Sequence, residues 1–232
     1  AMPPLTEKDR AALGIANDLG IRHFALSFAN RGSDVKELRA RAGKDAFVIA
    51  KIECTNGLRN LDDIAVRADA LLIDRGDLAR QLPVERIPWV QKNVIRRTKE
   101  AGIKVYVATN LLESMVSKPA PTRAEVNDIY NTLIDGADGL VLAAETAIGD
   151  YPVRCASMIV KMIHEFERQF EAEEVHHRAE STTLLVRPHG GRLVDRQATA
   201  SDAADIRRLP AMNIDETDLM DCEKIAFGTY SP

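Results

Sequence analysis

Five short apolar runs punctuate the first 150 residues: Phe24-Ala25-Leu26-Ser27-Phe28, then 48–53, 70–73, 104–108 and 139–143. None alternates apolar with polar in the manner of a half-solvated strand. Runs of this kind are buried on both faces, which predicts a parallel sheet. Between them the spacing of apolar positions is helical. Thr6-Glu7-Lys8-Asp9 opens a helix that carries Leu13, Ile15, Ala16 and Leu19 and stops at Gly20. Further helices are expected over 33–41, 58–67 and 84–100. Thr122 and Glu125 have the spacing of a capping box, ahead of an apolar stripe of Val126, Ile129, Tyr130, Leu133 and Ile134. A last helix starts near Pro152, a residue suited to a first turn, and runs to the acidic 171–174. Glycines punctuate the helix ends at Gly102 and Gly136 as at Gly20, because a helix commonly closes on a left-handed residue.

Helix, glycine, short apolar strand is the grammar of repeated βα units. A closed (β/α)8 barrel needs eight such units in about 250 residues. Five strands in roughly 170 residues predict an α/β fold, a partial TIM barrel of about five-eighths or an open sheet.

The strand ends change the picture from architecture to chemistry. Lys51 and Glu53 share one face of the second strand, because side chains alternate. The third strand runs straight into Asp74-Arg75-Gly76-Asp77. The remaining strands end at Ser27, at Thr109, and at Glu145 and Thr146. An amine and acids at the open end of apolar strands are costly unless they pair, bind a metal or meet a ligand. Glu53 and Asp77 suit Mg²⁺ or Mn²⁺, hard ions that take oxygen ligands. Lys51 beside such an ion could stabilise a developing negative oxygen. Gly76 would let backbone amides approach an anion, and the Thr109 hydroxyl could orient or handle a proton. A salt-bridge cluster closing the end of the sheet accounts for the same residues.

Composition narrows the partners. The chain of 232 residues is 45% hydrophobic and 28% charged, with a net charge of −4 and a pI near 5.8. That balance gives no general attraction to nucleic acid or to an anionic membrane, and no apolar run reaches the roughly 18 residues of a membrane helix. Three widely spaced cysteines, Cys54, Cys155 and Cys222, fit a reduced, cytoplasmic setting. Ala1-Met2 reads as a remnant ahead of a native start, with no signal-peptide core behind it. His176-His177 reads as a solvated pair and not a metal site.

Several stretches together carry a family resemblance. They are Leu5-Thr6-Glu7-Lys8-Asp9, Leu26-Ser27-Phe28, Ala50-Lys51-Ile52-Glu53, Arg75-Gly76-Asp77-Leu78 and Ala108-Thr109. Leu112-Glu113-Ser114-Met115, Pro121-Thr122-Arg123-Ala124-Glu125 and Glu145-Thr146-Ala147 complete the set. With these, residues 5–170 resemble the second part of the catalytic barrel of pyruvate kinase. The resemblance implies that Lys51 is the lysine that stabilises the phosphoryl group and enolate. It makes Glu53 and Asp77 the metal-binding carboxylates and Thr109 the threonine near enolate protonation. Ser27, Arg75, Gly76 and Glu145 would then line a pocket for phosphoenolpyruvate or pyruvate. Asn110 stands where the family usually has Gln, Ala143-Ala144 where Ser-Gly is usual, and Ala79 where Gly is usual. The family's first three barrel strands, lid domain and carboxyl-terminal regulatory domain have no counterpart here. The implied site is therefore the metal-and-enolate half without the ADP half.

Residues 179–232 form a second segment after a barrel module at 1–178. Residues 183–186 read as a strand, and a small mixed α/β or β domain is expected. Arg187-Pro188-His189-Gly190-Gly191-Arg192-Leu193-Val194-Asp195-Arg196, with Leu209-Pro210 and Ile225-Ala226-Phe227-Gly228-Thr229-Tyr230-Ser231-Pro232, resembles the PUA-like beginning of ATP sulfurylase (sulfate adenylyltransferase). His189-Gly190-Gly191 reads as a turn. The chain thus resembles part of a longer fusion, with a sulfurylase domain as a downstream partner. Two functions follow: a Mg²⁺-dependent, phosphotransferase-type site for a small acid, incomplete on its own, or a non-catalytic module that organises a sulfurylase. Unpaired sheet edges predict a homo-oligomer.

Overall fold

The computed structural model describes residues 3–181, 184–186 and 194–196, with side-chain positions through 169. The chain divides into two compact units, Ala1–Ile159 and Val160–Pro232.

In the first unit the five expected strands form one sheet: β1 His23–Leu26, β2 Phe47–Ile52, β3 Ala70–Asp74, β4 Lys104–Ala108 and β5 Gly139–Val141. They lie side by side in chain order and every pair is parallel. Parallel neighbours joined in sequence need a crossover each, and crossovers in one sheet share a right-handed sense, so the connecting helices gather on one face. Sequential order without a switch point is the winding of a barrel, here five strands of it.

Burial follows that asymmetry. In β2, Val48, Ala50 and Ile52 are buried against the helices, while Phe47, Ile49 and Lys51 on the other face are half-buried. In β4, Val105 and Val107 are buried and Tyr106 is half-buried. Of these five strands only the central β3 is buried at every residue. Full burial of residues such as Leu71 and Ile73 contributes about 1.5–3 kcal/mol each.

The helices are α1 Glu7–Asp18, α2 Gly32–Ala42, α3 Thr55–Arg59, α4 Leu61–Ala65, α5 Arg75–Leu78, α6 Ile87–Glu100, α7 Arg123–Ile134 and α8 Ala144–Ala147, followed by α9 Pro152–Ser181. The single helix expected over 58–67 is two short ones, broken at Asn60. That residue leaves helical geometry (φ −104°, ψ 21°) and donates its side-chain amide to the carbonyls of Asn30 and Asn56. Residues 84–86 form a 3₁₀ turn ahead of α6. The capping box of Thr122 and Glu125 is formed. Gly102 and Gly136 close their helices with φ of +75° and +97°.

Two apolar stripes are only partly buried. Leu13 is buried, whereas Ile15 and Leu19 of the first helical segment are exposed; Ile129 and Leu133 of α7 are buried, whereas Ile134 is exposed.

In the second unit, β6 Leu184–Val186 pairs antiparallel with β7 Val194–Arg196. The strand expected at 183–186 is present over 184–186. The residues read as His189-Gly190-Gly191, Leu209-Pro210 and 225–232 lie outside the described residues.

Candidate functional site

Register brings the chemistry together. Ile52 of β2 pairs with Ile73 of β3, so Glu53 and Asp74, one residue further on, leave adjacent strands at the same level. Asp74 in turn pairs with Ala108, so Thr109 emerges beside it. On the other side, Leu26 pairs with Ala50, which sets Ser27 level with Lys51.

Glu53 is almost fully buried at 1% exposure. Its Oε1 lies 2.5 Å from Lys51 Nζ, and its Oε2 accepts the Phe28 N–H at 2.5 Å. The same ammonium stands 3.6 Å from Asp74 Oδ2. Burial by itself would push Lys51 down, but the hydrogen bond to Glu53 and the charges of Glu53 and Asp74 outweigh it. The ammonium is held above the ordinary lysine range, and so protonated.

Asp74 caps α5 by accepting the Asp77 N–H through Oδ1 at 3.3 Å. The same oxygen is 3.2 Å from the Thr109 hydroxyl. Thr109 Oγ1 accepts the Gly76 N–H at 2.8 Å, and its single proton is shared between Asp74 and the Ala108 carbonyl at 2.6 Å. One carboxylate oxygen from each of Glu53, Asp74 and Asp77 lies within 4.8 Å of the other two. Three carboxylates that near one another could hold a divalent cation, a hard ion that takes oxygen ligands.

The sequence reading named Glu53 and Asp77 as ligands and left Asp74 out. In the structure it is the last residue of β3 and the cap of α5. Its place beside Glu53 follows from inter-strand register alone.

Other residues are brought near but spent on the backbone. The Arg75 guanidinium donates to the carbonyls of Thr109 and Asn110 and to Asp128 and Gln91, which uses its five N–H groups. Glu145, also buried, accepts the Leu112 N–H at 3.1 Å and the Ala143 N–H at 2.8 Å, so both oxygens hold loop backbone. Gly76 gives its N–H to Thr109. Ser27 is exposed and lies along a cleft of about 320 Å³ between β1 and α1.

Backbone strain concentrates at this rim. Among the described residues the non-glycine positions with positive φ are Phe28 (49°), Thr109 (70°) and Asn110 (56°). All three follow a strand end, and Phe28 and Thr109 contact Glu53 and Asp74. Such strain persists only where the surroundings over-determine it, and it gathers at sites. Asn110 replaces the Gln expected from the resemblance, and asparagine is the less strained of the two in the left-handed region.

Comparison with known proteins gives a consistent answer. A family model described as pyruvate kinase, barrel domain, matches residues 1–156. Pyruvate kinase of Agrobacterium vitis is 40% identical over 186 residues, 80% of this chain and 39% of that protein. The pyruvate kinases of Methylorubrum extorquens and Thermotoga maritima are each 41% identical over 72% of this chain, and 35% and 36% of their own lengths are covered. The chain therefore spans less than two fifths of the length of these relatives.

Proposed function

The chain belongs to the pyruvate kinase family, and from that premise we propose that it holds a divalent cation, Mg²⁺ or Mn²⁺, beside a small carboxylate or phosphate-bearing acid of the phosphoenolpyruvate or pyruvate class. One observation carries this reading: one carboxylate oxygen from each of Glu53, Asp74 and Asp77 lies within 4.8 Å of the other two, next to the Lys51 ammonium.

In this reading Glu53, Asp74 and Asp77 hold the cation, which when bound supplies positive charge to the oxygens of the acid. Lys51 contributes a fixed cation of its own, tethered by Glu53 and aimed along the same face, where negative charge on a transferring or enolate-like oxygen would be stabilised. The Thr109 hydroxyl stands between Asp74 and the Gly76 amide, a position from which it can orient the acid or relay a proton. Arg75 and Glu145 serve by holding the loops that carry these groups. Ser27, on the neighbouring strand end, would border the acid.

The experiment is a titration of the purified chain with Mn²⁺ and then with phosphoenolpyruvate, with Asp77→Asn and Lys51→Met as controls. Metal binding lost in Asp77→Asn and acid binding lost in Lys51→Met support the reading. Absence of both at millimolar ligand in the unaltered chain sinks it. A coupled assay with ADP is expected to show little or no turnover, because the chain assayed spans less than two fifths of the length of its relatives. Self-association that covers the β1 and β5 edges belongs to the same proposal, and a monomeric mass in light scattering at micromolar concentration would count against it.

A second reading is favoured by the Lys51–Glu53 contact itself. A carboxylate already neutralised by an ammonium can close a sheet end as a plain ion pair, in a non-catalytic module. The 187–196 motif, with its likeness to the beginning of sulfate adenylyltransferase, would make that module the organiser of a sulfurylase domain. The reading frame beyond Pro232 tests this directly.

A further inference from the structure

Arg75 is the most heavily engaged side chain at the rim, yet no donor of its guanidinium is left for a ligand. It is 8% exposed. Nε and Nη2 donate to the Thr109 carbonyl at 3.1 and 2.8 Å, and Nη2 also reaches the Asn110 carbonyl at 3.1 Å. Nη1 forms an ion pair with Asp128 of α7 at 2.6 Å and a longer bond to Gln91 of α6 at 3.4 Å. Gln91 is buried and passes the contact on, donating to Thr132 of α7 at 3.2 Å and to Asp135, the residue that caps α7, at 3.3 Å.

We infer that Arg75 is a positioning residue whose guanidinium holds the left-handed Thr109–Asn110 turn and ties it, through Asp128 and Gln91, to α6 and α7. Two consecutive non-glycine residues at φ of 70° and 56° do not stay there unaided. Both carbonyls of that turn are gripped by one planar fork. The grip has a direct consequence for the site, because the same turn sets Thr109 Oγ1 on the Gly76 N–H and beside Asp74. Packing of two outer helices thereby fixes the place of the hydroxyl. A lysine could not substitute. Its ammonium is a point donor on a flexible stem and cannot meet two carbonyls, a carboxylate and an amide in one plane.

The structural half of this inference stands alone, while its effect on metal binding rests on the proposed function. The test separates them. Backbone amide exchange is measured by NMR on the full chain for Arg75→Met, Arg75→Lys and Asp128→Asn, with Mn²⁺ affinity measured on the same samples. Expected is exchange of the Gly76 amide faster by about tenfold or more in both Arg75 variants, and by less in Asp128→Asn, with the β3–β4 ladder still protected. In a fourth variant, Arg75→Ala, millimolar guanidinium ion should restore Gly76 protection, and an equal concentration of ammonium ion, which lacks the planar fork, should not. Mn²⁺ affinity is expected to fall severalfold with the loss of Thr109 from Asp74. Unchanged Gly76 protection in a folded Arg75→Met overturns the inference. Should that variant lose its ladder as well, unchanged protection in Asp128→Asn overturns it, since Asp128 lies at the surface and its loss leaves the core intact. No Mn²⁺ binding to the unaltered chain sinks the proposed function, and the Gly76 result decides the positioning role regardless.

Discussion

The ammonium of Lys51 stands 2.5 Å from Glu53 Oε1, and the carboxylate it meets is 1% exposed. The pair is therefore asymmetric: Lys51 keeps some contact with water, while Glu53 depends on Lys51 and on the Phe28 amide. Breaking a buried pair by removing one partner leaves an uncompensated charge and costs about 3–5 kcal/mol. Lys51→Met is expected to lose stability on that scale in urea unfolding. The double variant Lys51→Met, Glu53→Gln should recover part of it, because no buried charge remains. If the losses of the two single variants simply add in the double variant, the residues are not coupled.

Divalent metal should relieve the same electrostatic tension. With three carboxylates converging and one ammonium to balance them, the cluster carries excess negative charge. Ligand present at a hundred times its Kd stabilises a folded protein by about 2.7 kcal/mol. Mn²⁺ is expected to raise the melting temperature of the unaltered chain and to leave that of Asp77→Asn unmoved. Asp74→Asn should behave likewise, although this variant also weakens the cap of α5, so its metal-free stability is compared first. A melting temperature that rises equally in all three would place the metal elsewhere.

The turn after β4 offers a local test. Asn110 has φ of 56° and its side-chain amide donates to Glu113. Asn110→Gly tolerates the backbone conformation and loses the side-chain bond, so a cost of about 0.5–1.5 kcal/mol is expected. Asn110→Val adds the strain of a β-branched residue in the left-handed region, of order 1–3 kcal/mol. Thermal unfolding should rank unaltered chain, Gly, then Val. The reverse order of the two variants would mean that the turn relaxes on substitution.

How far these relationships could be read from the sequence depended on whether they were periodic or relational. The parallel sheet was legible because β2, β3 and β4 are apolar at nearly consecutive positions, although of the three only β3 is buried on both faces, β2 and β4 keeping one face half-buried. Lys51, Glu53, Thr109 and Asp77 were legible as polar groups at apolar strand ends. Asp74 was not, because its partner Glu53 is chosen by inter-strand register, which no local pattern encodes. Arg75 and Glu145 were placed at the rim, but the direction in which a side chain leaves a loop depends on neighbours far along the chain. Asp128 is 53 residues from Arg75, and Leu112 is 33 from Glu145. The break at Asn60 escaped for the same reason, since its amide answers a carbonyl at Asn30.

Glu125 makes the pH dependence of the fold predictable. Its carboxylate accepts the Ser114 N–H at 2.7 Å and hydroxyl at 2.6 Å, and the Thr122 N–H at 2.7 Å and hydroxyl at 2.8 Å. Partial burial by itself would raise its pKa, but these bonds outweigh it and hold the group below the ordinary glutamate range. A carboxyl whose folded pKa is depressed binds fewer protons folded than unfolded. Its contribution is complete above the unfolded pKa of about 4.3 and is lost as pH falls from there through the lower folded value. Glu125→Gln should therefore cost about 1.5–3 kcal/mol at neutral pH, the scale of a hydrogen bond to a charged group. The difference between the two proteins should shrink below about pH 4 as the native carboxyl takes up its proton. Urea unfolding from pH 7 to pH 3 checks both halves. A gap between variant and unaltered chain that stays constant over that range would show that the Ser114 and Thr122 contacts act through shape and not through charge.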